Sequence, residues 1–223
     1  MTAPRIVLLH ATPVAMDPVH AAFRDLWPGA ELVNVLDDSL TADRAKEHDL
    51  SAGLTDRFVR LCHYGEDMGA AAILATCSAF GPALDQAAGE LQIPVLKPNE
   101  AMFQDAIKAG SRIGMVATFT PALSTMEEEF RDEAQRAGSV ARLTSIVVPE
   151  AMAALRGGDA ETHNELVAER IREFDGFDAV MLAHFSTSRA APLARTLVST
   201  PVLTAPESAV RKLRRVLRVQ GAR

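Results

Sequence analysis

The chain has few of the residues on which several classes of protein depend. Only two of its 223 residues are cysteine, too few for a disulfide framework, so a reducing compartment is expected. Aromatic residues make up 5% of the chain and the net charge is −6, which argues against base stacking and against a basic nucleic-acid footprint. The apolar runs are too short for a signal peptide or a membrane span. We therefore expect a cytoplasmic protein that contacts neither nucleic acid nor membrane.

The sequence also lacks the common motifs of cofactor and metal chemistry. It has no glycine-rich phosphate-binding motif, no G-x-S-x-G and no C-x-x-C. Its six histidines show no H-x-x-x-H spacing, so we expect no bound metal. Any chemistry must then come from side chains and helix ends, without a cofactor.

What the chain does have is an internal repeat at an offset of 107 positions. Arg5-Ile6 recurs as Arg112-Ile113, and Pro94-Val95-Leu96 recurs as Pro201-Val202-Leu203. Short apolar runs alternate with helical patterns in both halves, which is typical of parallel α/β folds. The pattern predicts strands near 5–10, 31–36, 71–76, 94–96, 112–117, 142–147, 178–183 and 201–203.

The repeat predicts an α/β fold of two pseudo-symmetric lobes, each a small parallel sheet flanked by helices, because the period is about the size of a small domain. Lobe one is expected to comprise residues 1–98 plus 204–223, since the segment after the last strand should return to it. Lobe two is expected to comprise residues 99–203. Two such lobes would form a cleft, and we expect the active site there.

The strongest candidate for catalysis is Cys77, which directly follows a buried strand and precedes a helix. Ligands of open parallel sheets bind at the carboxyl ends of strands, and the free N–H groups of the next helix favour a thiolate. The alternative is a core cysteine, which is the reading we adopt for Cys62 inside an apolar helix face. The residue 107 positions after Cys77 is His184, which can move protons near neutral pH. Its alternative is a capping or packing histidine.

These motifs carry a resemblance to a known family. Ala75-Thr76-Cys77-Ser78, Leu182-Ala183-His184, Val116-Ala117-Thr118-Phe119-Thr120 and Pro206-Glu207-Ser208 together resemble the aspartate/glutamate racemase superfamily. That superfamily includes hydantoin racemase, maleate isomerase and arylmalonate decarboxylase. The resemblance covers essentially the whole chain and implies two lobes, no cofactor and a homodimer. Its racemases carry cysteine at both strand ends, whereas this chain has Cys77 at the first and His184 at the second.

The resemblance also implies residues that hold substrate carboxylates through hydroxyls and backbone N–H groups. By their positions at strand ends and helix starts, the expected substrate-binding residues are Ser78, Thr118, Thr120, Ser186, His10 and Thr12. Each hydroxyl could instead serve as a helix N-cap.

The function that these observations predict is cofactor-independent racemisation or isomerisation of a small carboxylate, an amino acid or analogue, by proton transfer at the α carbon. Cys77 would serve one face of the substrate and His184 the other. One alternative is a one-cysteine decarboxylase or a cis–trans isomerase of a small dicarboxylic acid. Another is a catalytically degenerate member that only binds a carboxylate.

Overall fold

The computed structural model describes residues 3–47 and 49–220, which contain two four-stranded parallel sheets. The strands of the first sheet are β1 (Arg5–His10), β2 (Glu31–Leu36), β3 (Ala72–Ala75) and β4 (Val95–Leu96). The strands of the second are β5 (Arg112–Ala117), β6 (Arg142–Val147), β7 (Ala179–Leu182) and β8 (Val202–Thr204). Each lies within one residue of its predicted limits. The predicted α/β fold with two small parallel sheets is confirmed.

Helices connect the strands, as parallel pairing requires. The α-helices of the described residues are α1 (Met16–Leu26), α2 (Ser39–Arg44), α3 (Ala52–Asp67), α4 (Gly81–Glu90), α5 (Glu100–Ala109), α6 (Leu123–Arg136), α7 (Pro149–Arg156), α8 (Ala160–Arg170), α9 (Ala191–Leu197) and α10 (Ala205–Gln220). None of these helices is both long enough and apolar enough to cross a membrane.

The two sheets share one topology, with strand orders β2-β1-β3-β4 and β6-β5-β7-β8. The inner strands β3 and β7 are buried along their whole length, whereas β2 and β6 at the edges are partly exposed. This burial explains why β3 and β7 read as continuous apolar runs. Pairing of Leu9 with Ala75, and of Val116 with Leu182, brings the carboxyl ends of the central strands to a common edge in each sheet.

The repeat holds in three of the four strand pairs. β5, β7 and β8 each begin 107 positions after β1, β3 and β4, but β6 begins 111 positions after β2. Most of this difference arises because α6 has 14 residues and α1 has 11. The second half recovers the register before β7, so the strand ends that carry Cys77 and His184 remain equivalent.

Contacts divide the chain into two compact units. The first unit comprises the residues up to Pro98 together with those from Ala209 onward, and the second comprises Asn99–Ser208. Helix α10 joins the first unit from Ala209, where Arg214 Nη1 donates a hydrogen bond to the carbonyl of Leu26. The lobe limits expected from the sequence, 1–98 plus 204–223 and 99–203, stay a prediction.

Each unit has its own apolar core. In the first, Phe58 of α3 stacks on Phe80 with ring centroids 4.7 Å apart, and both rings are fully buried. In the second, Phe174 packs so closely on the backbone of β5 that a Cβ on Gly114 would lie 2.5 Å from its ring. Glycine at 114 is therefore a packing requirement of the second sheet.

Candidate active site

Cys77 lies at the carboxyl end of β3, immediately before the 3-10 turn Ser78–Phe80. Its backbone is extended (φ −124°, ψ 126°) and the residue is partly buried. Burial raises the pKa of the Cys77 thiol above its usual value, and the N–H of Ala79, which hydrogen bonds to the sulfur, offsets this only in part. The turn after Cys77 does favour the thiolate, as expected from the sequence, but burial has the larger effect and the net shift of the pKa is upward. The resting group is a neutral thiol.

Cys62 has the structural role predicted for it. It lies in α3, fully buried in the core of the first unit, and burial raises its pKa to about 12. A thiol in this environment is inert near neutral pH. Of the two cysteines, only Cys77 combines a strand end with partial exposure.

His10, at the end of β1, belongs to a buried polar network that reaches the residue before Cys77. Its Nδ1 lies 2.8 Å from Thr76 Oγ1, and its Nε2 lies 3.0 Å from Asn34 Oδ1, which also accepts from His20 Nε2 at 2.9 Å. Because Asn34 Oδ1 can only accept, Nε2 of His10 carries the proton and Thr76 donates to Nδ1. Burial lowers the pKa of His10, so the imidazole is neutral. Both ring nitrogens are occupied, and a substrate contact by His10 remains a prediction.

The two remaining candidates of the first unit flank this network. Thr12 follows β1 with an extended backbone and is partly exposed, and its hydroxyl caps no helix N–H. Ser78 begins the turn after Cys77 and is also partly exposed. Thr12 and Ser78 therefore both lie at the carboxyl edge of the first sheet, where the family resemblance placed substrate-binding hydroxyls.

His184 occupies the equivalent strand end of the second unit, two residues beyond β7. Its backbone is left-handed, with φ of 71°, which is uncommon for a residue with a side chain. Thr187 Oγ1 holds this turn by donating to the carbonyl of His184 at 2.9 Å, and it also contacts the carbonyl of Ala183. The residue is partly buried, but its Nε2 atom is fully covered and has no hydrogen-bond partner among the described residues. Burial lowers the pKa of His184 to about 4, so the imidazole is neutral.

The hydroxyls predicted around His184 differ in their surroundings. Thr118, directly after β5, is 1% exposed and its Oγ1 has no partner among the described residues. Ser186 is buried at the start of the 3-10 turn Ser186–Ala190, whereas Thr120 is exposed at the start of Thr120–Ala122. Of these three, Thr118 is therefore the one whose hydroxyl oxygen is both fully buried and without a partner among the described residues.

Sequence reasoning gave no site role to two residues of similar character, although Ser208 belongs to one of the motifs that carry the family resemblance. Asn99 is 1% exposed and Ser208 is 0% exposed, and no polar side-chain atom of either has a partner among the described residues. Asn99 precedes the first residue of α5, and Ser208 lies in the first turn of α10. The signal that could have found them is their place in the repeat, since α5 and α10 each follow the fourth strand of a half.

Comparison with known proteins identifies the family. Residues 7–174 match the sequence profile of the Asp/Glu/hydantoin racemases, which is most of the chain. The chain therefore belongs to the Asp/Glu/hydantoin racemase family, and this membership indicates an isomerase. No curated protein matches the chain by sequence.

Solved structures share the fold at low sequence identity. Glutamate racemase isoform RacE1 from Bacillus anthracis superposes with a TM-score of 0.73 at 16% identity, covering 99% of this chain and 84% of that one. Allantoin racemase from Klebsiella pneumoniae gives 0.73 at 20% identity, covering 98% and 89%. A variant of arylmalonate decarboxylase, in a sulfate-associated form, gives 0.66 at 17% identity, covering 96% and 93%.

Proposed function

We propose that the protein is a cofactor-independent racemase or isomerase of a small carboxylate, an amino acid or close analogue, and that it moves a proton at the α carbon. One observation carries the proposal: Cys77 and His184 follow equivalent strands, β3 and β7, of a repeated unit within a racemase family. Both side chains can exchange protons, and each occupies the strand end at which parallel α/β folds bind ligands.

The charge states of the two groups suggest how the reaction begins. Burial favours the thiol form of Cys77 and the neutral imidazole form of His184, so at neutral pH Cys77 is the acid of the pair and His184 is the base. Nε2 of His184 would take the α proton from one face as the C–H bond breaks. The thiol of Cys77 would then donate its proton to the carbanion from the opposite face, forming the new C–H bond and leaving a thiolate and an imidazolium.

This product state is the starting state for the opposite enantiomer, since the thiolate is then the base and the imidazolium the acid. Burial of Cys77 and His184 disfavours this thiolate–imidazolium state in the free protein, so the two enantiomers should differ in the pH dependence of their turnover. The enediolate-like intermediate needs hydrogen-bond donors at the substrate carboxylate. The hydroxyls of Thr118, Thr12 and Ser78 and the N–H groups of the adjacent turns are our candidates for this role.

The test is α-proton exchange in D2O, followed by NMR and chiral chromatography on a panel of amino and dicarboxylic acids. Deuterium exchange with inversion would support the proposal. His184→Ala should lose inversion by about 10²- to 10⁴-fold, the usual contribution of a general acid or base, while Cys77 can still exchange a proton on its own face. Cys62→Ala is the matched control and should keep the activity. Full inversion by His184→Ala would show that His184 lines the pocket and is not an acid or base in the reaction.

A second candidate is supported by the raised pKa of the Cys77 thiol. A group held in its protonated form suits a lyase, in which a cysteine only protonates the carbanion left when CO2 departs. Arylmalonate decarboxylase, whose name describes such a reaction, shares the fold. Release of CO2 from a malonate derivative, lost in Cys77→Ala but kept in His184→Ala, would favour this function. Binding of a carboxylate without any turnover would favour a degenerate member.

A further inference from the structure

The second unit contains a group of buried polar side chains that its own hydrogen bonds leave unsatisfied. Asn99 Oδ1 and Nδ2, Thr118 Oγ1, His184 Nε2 and Ser208 Oγ have no partner among the described residues. An unpaired buried polar group destabilises a protein, so such groups are few and call for a reason. Other buried side-chain atoms of this unit also lack a partner among the described residues, Ser145 Oγ and His163 Nε2 among them, but these four residues share one edge of the sheet. Four unsatisfied residues at one edge indicate a site that a polar ligand completes.

The topology places all four at one edge of the second sheet. Thr118 directly follows β5, His184 follows β7, and Ser208 lies one turn after β8, and these three strands pair side by side in parallel. Helix α5 brings Asn99 to the same edge. The helix ends at the amino edge of the sheet, because the residues that follow it, Ser111 and Arg112, donate their backbone N–H groups to Asp178 Oδ2 where β5 begins.

Because α5 ends at the amino edge, where β5 begins, the start of α5 lies toward the carboxyl edge. The helix has 10 residues, which gives a length of about 15 Å. The six residues of β5 span about 20 Å, so helix and strand are of comparable length. Asn99 therefore lies at the same edge of the second sheet as His184, although 85 positions separate them in the sequence.

We infer that Asn99 and Ser208 determine substrate specificity by binding the polar group of the substrate that is remote from the reacting carbon. The inference rests on the proposed function for the identity of the reacting carbon. It also defines the chemistry of that remote group. Asn99 offers an acceptor and two donors, and its Oδ1 needs a donor that a carboxylate lacks. The best match is an uncharged group that both donates and accepts, such as a carboxamide.

Charge supports the same choice. The side chains of Asn99, Ser208 and Thr118 are uncharged, and burial keeps His184 neutral as well. A second carboxylate bound by Asn99 and Ser208 would be desolvated without an opposite charge from either of them, which is costly. A carboxamide of the same shape loses much less on burial.

The experiment uses L-asparagine and L-aspartate as matched probes, since they differ only in amide against carboxylate. In wild type, α-deuterium exchange should show a lower KM for asparagine. Asn99→Leu removes the amide at similar volume and should raise that KM about tenfold while kcat changes little. Asn99→Asp keeps the acceptor oxygens but loses both N–H donors, so it should also raise the KM for asparagine. Ser208→Ala should weaken binding in the same direction.

Stability measurements separate a ligand contact from a structural one. Replacing an unpaired buried amide by an apolar group should leave the melting temperature of the free protein unchanged or raise it, so Asn99→Leu should lose binding without losing stability. Ser145→Ala is the matched control, because Ser145 Oγ also has no partner within the described part of the chain but lies within β6, before its carboxyl end. This variant should leave both KM values unchanged.

Binding without turnover is read from the side-chain NH2 signals of Asn99 in an ¹⁵N-correlated NMR spectrum, assigned by their loss in Asn99→Leu. A shift of these signals with asparagine but no deuterium exchange would support the inference and refute the proposed function. Exchange in wild type with an unchanged KM in Asn99→Leu would refute the inference alone. Neither exchange nor a shift with either probe would also overturn the assignment of Asn99 to a carboxamide.

Discussion

Protonation of His184 should make the protein markedly less stable in mild acid. In the unfolded chain the imidazole titrates at its ordinary pKa of 6.5, whereas in the fold its pKa is about 4. Between these values the unfolded chain binds a proton that the folded protein does not, so stability falls as the pH falls through this window. Above pH 6.5 both states are neutral and the contribution vanishes. A difference of about 2.5 units corresponds to a ceiling of about 3 kcal/mol.

The assay is urea unfolding at several pH values from 7.5 to 4, for wild type and for His184→Asn. Asparagine tolerates the left-handed backbone of position 184 and does not titrate, so the variant preserves the turn. His10 and the carboxylates with shifted pKa values titrate alike in both proteins and cancel in the difference. Wild type should lose up to about 3 kcal/mol more than the variant between pH 6.5 and 4. Parallel stability curves would refute the claim that His184 is held neutral by burial.

Two further predictions concern the thiols and the packing of the second sheet. Iodoacetamide should label Cys77 and spare Cys62, at a rate that rises about tenfold per pH unit below the raised pKa of Cys77, because only the thiolate reacts. Equal labelling of both thiols by mass spectrometry would contradict this. Gly114→Ala should destabilise the protein by about 1–3 kcal/mol, because the new methyl group collides with Phe174. Gly89→Ala, in α4 with open space around it, should be neutral or stabilising, and similar unfolding midpoints for the two variants would refute the packing argument.

The sequence predicted the strands well because buried parallel strands leave a clear trace. Continuous apolar runs, bounded by turns, located β3 and β7, and the repeat then related Cys77 to His184. The same offset failed at β2 and β6, because helix length between strands is set by packing, and an extra turn in α6 leaves no mark on the strand pattern itself.

The candidate site was less accessible to sequence reasoning, since its properties depend on burial. The helix start after Cys77 suggested a lowered thiol pKa, but desolvation outweighs a single N–H contact and reverses the direction. The sequence around Asn99 is that of an ordinary helix start, and what distinguishes Asn99 is its burial without a side-chain partner among the residues that the structure describes. Only the structure shows that both ring nitrogens of His10 have partners, in Thr76 and Asn34, and a substrate contact by His10 stays a prediction.

The left-handed backbone at position 184 has a consequence for how the two halves can diverge. Cys77 has an extended backbone that any residue can adopt, so the backbone does not limit which residue type occupies this position. At 184, most residues with a side chain lose about 1–2 kcal/mol to the backbone itself, and β-branched residues lose the most. Substitutions that survive there should be biased toward glycine, asparagine, aspartate and histidine. In this chain the backbone therefore restricts which residues position 184 accepts, whereas at position 77 it imposes no such restriction.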